Sequence, residues 1–152
     1  MNSQHVFNLN IGIVGALATY LLGGWDTSLY VLAAFMLLDY ITGVLYAYLQ
    51  NKVNSQVGFK GILRKVEILI VLIVATLLDR LINKGTWVFR TVVCYYYIAN
   101  EGISILENLG KTGVPYPERL FNALEQLKGI EFSDLPKCHE LFLRILFTSI
   151  FN

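Results

Sequence analysis

Residues 66–78 read VEILIVLIVATLL, with a single charge at Glu67. A helix on the surface of a soluble bundle carries a polar face opposite its apolar stripe. This segment is apolar all round, so it must be buried in protein or in lipid. The chain has 152 residues, of which 55% are hydrophobic and 15% charged. A soluble domain usually carries about 25% charge. So short a chain has too little protein to hide several such helices from water. The segment therefore reads as part of a membrane helix over about 62–82.

Working outward, three more stretches resemble it. They cover about residues 6–24, 28–50 and 86–106. A bilayer-crossing helix needs about 20 mostly apolar residues at about 1.5 Å each. The first stretch is the weakest, because Asn8 and Asn10 interrupt it and Gly12, Gly15, Gly23 and Gly24 loosen it. Its leading MNSQH lacks the basic residues of a secretory signal, which favours a retained membrane helix. The expected fold is an all-α integral membrane protein with four transmembrane helices, or three if the first stretch does not cross. The transmembrane domain covers 1–110, and 111–152 forms a cytoplasmic C-terminal segment.

The net charge is only +1, which gives no sign of a nucleic-acid partner. Its placement says more. No Lys or Arg precedes Lys52, whereas Lys52, Lys60, Arg64 and Lys65 crowd residues 51–65 without an acidic residue. By the positive-inside rule this link is a cytoplasmic loop. Four spans then put both termini in the cytoplasm; with three, the N-terminus lies outside. Trp25, Tyr30, Tyr46, Tyr48 and Trp87 sit near the span ends, where an interfacial aromatic belt belongs.

Polar residues inside the spans are the candidate working parts. Asp39 stands midway along the second span, where a carboxylate costs about 2.5–3.5 kcal/mol to insert. Thr42, Gly43 and Tyr46 follow on its face at helical spacing. Gly43 and Ala47 form a small-xxx-small pair that permits close helix approach. In the fourth span Arg90, Tyr97, Glu101, Ser104 and Asn108 make one stripe, with Asn100 beside it. That stripe either lines a water-filled lumen or packs against the second span through Asp39. Arg90 lies near a helix end and can snorkel. Asp79 is expected to pair with Arg80, and Glu67 with Arg64.

After Asn108, the residues Gly110, Gly113, Pro115 and Pro117 force a turn. An amphipathic helix follows over about 117–128, with Leu120, Phe121, Leu124 and Leu127 on one face. It is suited to lie on the membrane or to meet a second copy. Residues 129–152 read as an interfacial or partner-docking segment. Cys94 and Cys138 lie far apart and read as buried spectators. His5 and His139 have no metal-type neighbours. No P-loop, GxGxxG, GxSxG or HExxH occurs. No cofactor, metal or catalytic group is expected.

Two blocks resemble a known family. The first is LLDYITGVLYAYLQNKVNSQVGFKGILRKVEILIVLIVATLLD, residues 37–79, in which Asp39, Gly43, Asn54, Ser55, Gly58, Gly61, Arg64, Lys65 and Asp79 match the pattern. The second is YIANEGISILENLGKTGVPYPERL, residues 97–120, in which Glu101, Ser104, Ile105, Asn108, Gly113, Pro115 and Pro117 match. Together they resemble the phage holin family that includes the clostridial toxin-secretion holin. The resemblance covers about residues 30–128, and the tail departs from it. It implies a non-enzymatic, multi-pass protein of the host cytoplasmic membrane. Such a protein forms homo-oligomers and opens lesions that release endolysin, a functional partner it need not touch, or a toxin. The rival classes are a small channel or transporter and a membrane-anchored adaptor. No internal repeat of the transporter kind is visible.

Overall fold

The computed structural model describes residues 3–52, 54–82 and 87–129. Cys138, His139 and the proposed interfacial tail lie outside the described residues. The described residues form five helices and no strand: α1 (Ser3–Leu22), α2 (Thr27–Leu49), α3 (Ser55–Ile82), α4 (Val88–Lys111) and α5 (Glu118–Lys128). Two of them, α1 and α2, are long and apolar enough to cross a membrane.

The helix ends follow local chemistry. Asp26 caps α2, its carboxylate accepting from the Leu29 amide at 2.9 Å and the Ser28 hydroxyl at 2.8 Å. At the start of α3, the Asn54 side chain accepts from the Gln56 amide at 3.1 Å. Beyond α4, Gly113 adopts a φ of +88° and the Val114 amide closes back on Leu109 O at 3.1 Å. Pro117 sits one position before α5, as its cap.

One boundary departs from the expectation. Residues 55–65 are not loop but the first three turns of α3, so Lys60, Arg64 and Lys65 are helical. Gly61 lets the Tyr40 ring pack closely on α3: a Cβ there would lie 3.3 Å from the ring. At about 1.5 Å per residue α3 is about 42 Å long, more than the hydrocarbon thickness of about 30 Å.

The helix α4 is the centre of the molecule and packs against α2, α3 and α5. The core joins Leu29 and Leu32 of α2, Ile68 and Leu72 of α3, and Cys94, Tyr95, Ile98 and Ala99 of α4. The first helix touches chiefly α3, and its residues 4–17 are exposed throughout. Leu37, Leu38, Ile41 and Leu45 of α2 point outward, as do Ile62, Val66, Ile70, Val74 and Leu77 of α3. Of the large apolar residues of α4, Tyr96 alone is exposed. This explains why α4 is the most polar of the long helices: its neighbours surround it.

The amphipathic helix α5 packs part of its apolar face within the same molecule, with Leu120 left exposed. It turns back antiparallel along α4, with Tyr116 against Gly110 and Leu124 against Gly102. Farther along, Lys128 approaches the Tyr96 ring and Leu127 joins the core. A Cβ on Gly102 would come within 2.9 Å of Leu124 and 3.0 Å of Phe35. The absence of a side chain there lets α5 and α2 both close on α4.

Candidate functional site

The ends of the helices fix the depth of their polar residues. Asp39 stands ten residues before the end of α2, Lys65 ten after the start of α3, and Glu101 ten before the end of α4. Those three helix ends lie on the same side, so the three groups meet at one level, about 15 Å inward. The Lys65 ammonium donates to both the Asp39 and the Glu101 carboxylates. The side chains are 13%, 14% and 2% exposed for Lys65, Asp39 and Glu101, which makes this a buried triad. Two carboxylates share one ammonium, and neutral donors take up part of the remaining acceptor capacity. The Asn108 amide donates to Asp39 at 3.4 Å and to the Thr42 hydroxyl at 3.3 Å. Thr42 in turn donates to the Asp39 carbonyl at 3.1 Å.

Asp39, Thr42, Glu101 and Asn108 are thus brought together, and the α4 stripe packs against α2. Gly43 lies beside the Asn108 amide. Ser104 lines a neighbouring cavity. Asn100 is half-buried and takes no part in this network among the described residues. Lys65 is the member that sequence reasoning missed, having assigned it to a topology loop. The signal was available. Two deep carboxylates require a cation, and Lys65 is the basic residue at the matching depth in the next helix.

A second polar centre ties the opposite end together. Arg90 does not snorkel: it is 1% exposed and clamps the turn between α1 and α2. Its guanidinium pairs with the Asp26 carboxylate at 2.6 and 3.2 Å. It also donates to the carbonyls of Leu22 at 2.6 Å and Gly24 at 3.1 Å. Gly23, at a φ of +78°, leaves room for it, since a Cβ there would lie 2.9 Å from Arg90. Burial alone would push the Asp26 carboxyl up, but hydrogen bonds from Arg90, the Leu29 amide and Ser28 bring it down to about 2.

Asp79 is not the ion-pair partner of Arg80. It is fully buried and accepts from the amides of Val88, Phe89 and Arg90 at 2.8–3.0 Å, capping α4 from the neighbouring helix. The first amides of α4 lack partners within the helix, and a carboxylate there also meets the positive end of its dipole. Arg80 instead donates to Tyr20 O at 2.6 Å and stacks 3.8 Å over the Tyr20 ring. No pair forms between Arg64 and Glu67, and both are exposed.

Between α2 and α3, next to the triad, lies a cavity of about 480 Å³. Asp39, Gly43, Asn54, Ser55, Lys60 and Arg64 are among its lining residues.

Comparisons with known proteins place the chain in a family. The model of the bacteriophage holin family matches residues 16–129. An uncharacterized 14.9 kDa protein of Clostridium perfringens is 52% identical over 120 residues, covering 78% of this chain and 91% of the relative. An uncharacterized protein of Clostridium acetobutylicum is 48% identical over 113 residues, 74% of this chain and 90% of the relative. A protein of Bacillus phage phi105 named "Probable holin" is 36% identical over 94 residues, 61% of this chain and 68% of the relative. No solved structure matches. With the family model covering α2 to α5 and part of α1, the chain belongs to the bacteriophage holin family.

Proposed function

We propose that the protein accumulates in the bacterial cytoplasmic membrane, associates with copies of itself and opens lesions that let an endolysin, or a toxin, leave the cell. One observation carries this reading beside the family membership: the molecule is inside out. Apolar side chains of α1, α2 and α3 face outward, while an ionic triad and its hydrogen-bonded amide lie within. Water makes that distribution unfavourable, and lipid makes it favourable. In this reading α1 to α4 cross the membrane with α4 held inside, and the end bearing Lys52, Lys60 and Arg64 faces the cytoplasm.

The triad then acts as a latch. While Lys65 holds Asp39 and Glu101 within one molecule, the polar stripe of α4 is turned inward and the dispersed protein is harmless. A lesion needs that stripe exposed to water, with carboxylates and lysine re-paired between copies. The test is the onset of growth arrest in cells expressing Asp39→Asn or Glu101→Gln. Each change weakens the latch, so each should shift the onset; unchanged timing in both contradicts the latch. Orientation has its own test. With Cys94 and Cys138 replaced by alanine, Ser55→Cys should react with a membrane-impermeant maleimide only in inside-out vesicles. Labelling of intact cells would reverse the topology.

A further inference from the structure

Two exposed cations of α3 stand at the cavity beside the triad. Lys60 and Arg64 stand at i and i+4 on α3, so they are neighbours on one face, and like charges so placed repel. Both line the cavity. The described residues supply neither with an ion-pair partner, although Lys65, one position on, takes two carboxylates. Asn54 and Ser55 line the same space, adding polar groups at the end where α2 and α3 terminate. The opposite wall is formed by α2: Val44 and Ala47 are apolar, and Asp39, deeper in the space, is already paired with Lys65. At about 480 Å³ the space lies within the range of about 300–1,000 Å³ typical of small-molecule sites.

A ligand suited to this cavity carries one negative charge for the two cations, oxygens for the polar groups, and an apolar portion. We infer that it binds the phosphodiester headgroup of an anionic phospholipid of the adjoining leaflet, with the glycerol end of an acyl chain against Val44 and Ala47. Lys60 and Arg64 begin about 8–14 Å along α3 from Ser55, and their long side chains reach back toward the headgroup level. The bound headgroup would offset part of the charge on Lys60 and Arg64 and brace α2 against α3 beside the Asp39–Lys65 contact. The inference requires membrane placement but not lesion formation, so lipid binding and endolysin release can fail independently.

The test uses the purified full chain in maltoside micelles. Phosphatidylglycerol, phosphatidylcholine or inorganic phosphate is added, and bound lipid is counted by native mass spectrometry alongside the thermal midpoint. Wild type should retain phosphatidylglycerol at least tenfold more tightly than phosphatidylcholine. Lys60→Gln/Arg64→Gln should lose that preference, while the charge-matched control Lys111→Gln/Lys128→Gln keeps it. Ala47→Phe, which fills the apolar wall, should weaken phosphatidylglycerol binding with both cations in place. Equal retention by wild type and Lys60→Gln/Arg64→Gln overturns the site, as does an equal loss in the control. Stabilisation by inorganic phosphate alone, with no preference among lipids, overturns the lipid assignment in favour of a free anion. Circular dichroism of each variant separates lost binding from lost fold.

Discussion

Replacing Lys65 by methionine keeps the length of the side chain and removes the one cation between Asp39 and Glu101. Breaking a buried ion pair by deleting one partner costs about 3–5 kcal/mol, because the remaining charge is left uncompensated. An exposed pair is worth only about 0–1 kcal/mol. Exposures of 13%, 14% and 2% for Lys65, Asp39 and Glu101 place the triad near the buried limit. The adjoining cavity admits some water to Asp39, which favours the lower end, about 3 kcal/mol. At about 1.4 kcal/mol per tenfold, that is a loss of about two decades in the folded-to-unfolded ratio. The assay is denaturant unfolding in maltoside micelles, followed by circular dichroism. The same reasoning requires rescue: Lys65→Met/Asp39→Asn/Glu101→Gln carries no net charge at the site and should recover most of the loss. If Lys65→Met stays within about 0.5 kcal/mol of wild type, the range of ordinary surface changes, the triad does not hold the bundle. A triple variant no better than the single one would equally refute charge compensation as the cause.

Other consequences are smaller or more local. Arg90→Met removes the donor to Asp26 and to the Leu22 and Gly24 carbonyls; with Asp26 half exposed and still accepting from Leu29 and Ser28, it should cost about 1–2 kcal/mol, read as a lower unfolding midpoint and freer motion of α1. Asp26 gives that turn a pH dependence. Its carboxyl lies at about 2 in the folded protein against an ordinary 3.8, so its contribution is complete above about pH 4 and is lost as pH falls through 2. Trp25 fluorescence should follow that loss in wild type and not in Asp26→Asn. Asp79→Ala removes the cap from three amides of α4 and should cost about 2 kcal/mol, with faster amide exchange at Val88 to Arg90. Gly102→Ala crowds Leu124 and Phe35 and should cost about 1–3 kcal/mol; earlier proteolytic cutting between α4 and α5 would report it.

The long elements were legible in the sequence because hydrophobic length is a coarse and redundant signal. The stretches 6–24, 28–50, 62–82 and 86–106 correspond to α1–α4, and 117–128 to α5, within a few residues at most ends. The start of α3 is hidden because the basic run at 52–65 reads as a cytoplasmic loop, whereas residues 55–65 are helical and Gly61 admits the Tyr40 ring. Asp39, Glu101 and Asn108 stood out because a polar group in an apolar helix is costly and must find a partner away from lipid. Lys65 did not, since a lysine near a span end is ordinarily an interfacial anchor. Asp79 and Arg90 were misread for a related reason. Asp79 beside Arg80 suggests a local pair but accepts from amides of α4, and Arg90 near a helix end suggests snorkelling but reaches Asp26 and the carbonyls of Leu22 and Gly24; the sequence carries no mark of those long-range partners.

The proposed function requires that the molecule, once assembled, let a folded cytoplasmic enzyme cross the membrane. The most direct measurement is co-expression of the chain with an endolysin lacking any export signal, with culture turbidity and cell-wall hydrolase activity in the medium followed together. Uninterrupted growth to a set time is expected, then an abrupt stop with hydrolase appearing outside, and neither event when the chain is omitted. Accumulation of the chain in the membrane fraction while growth continues and the hydrolase stays inside would contradict it.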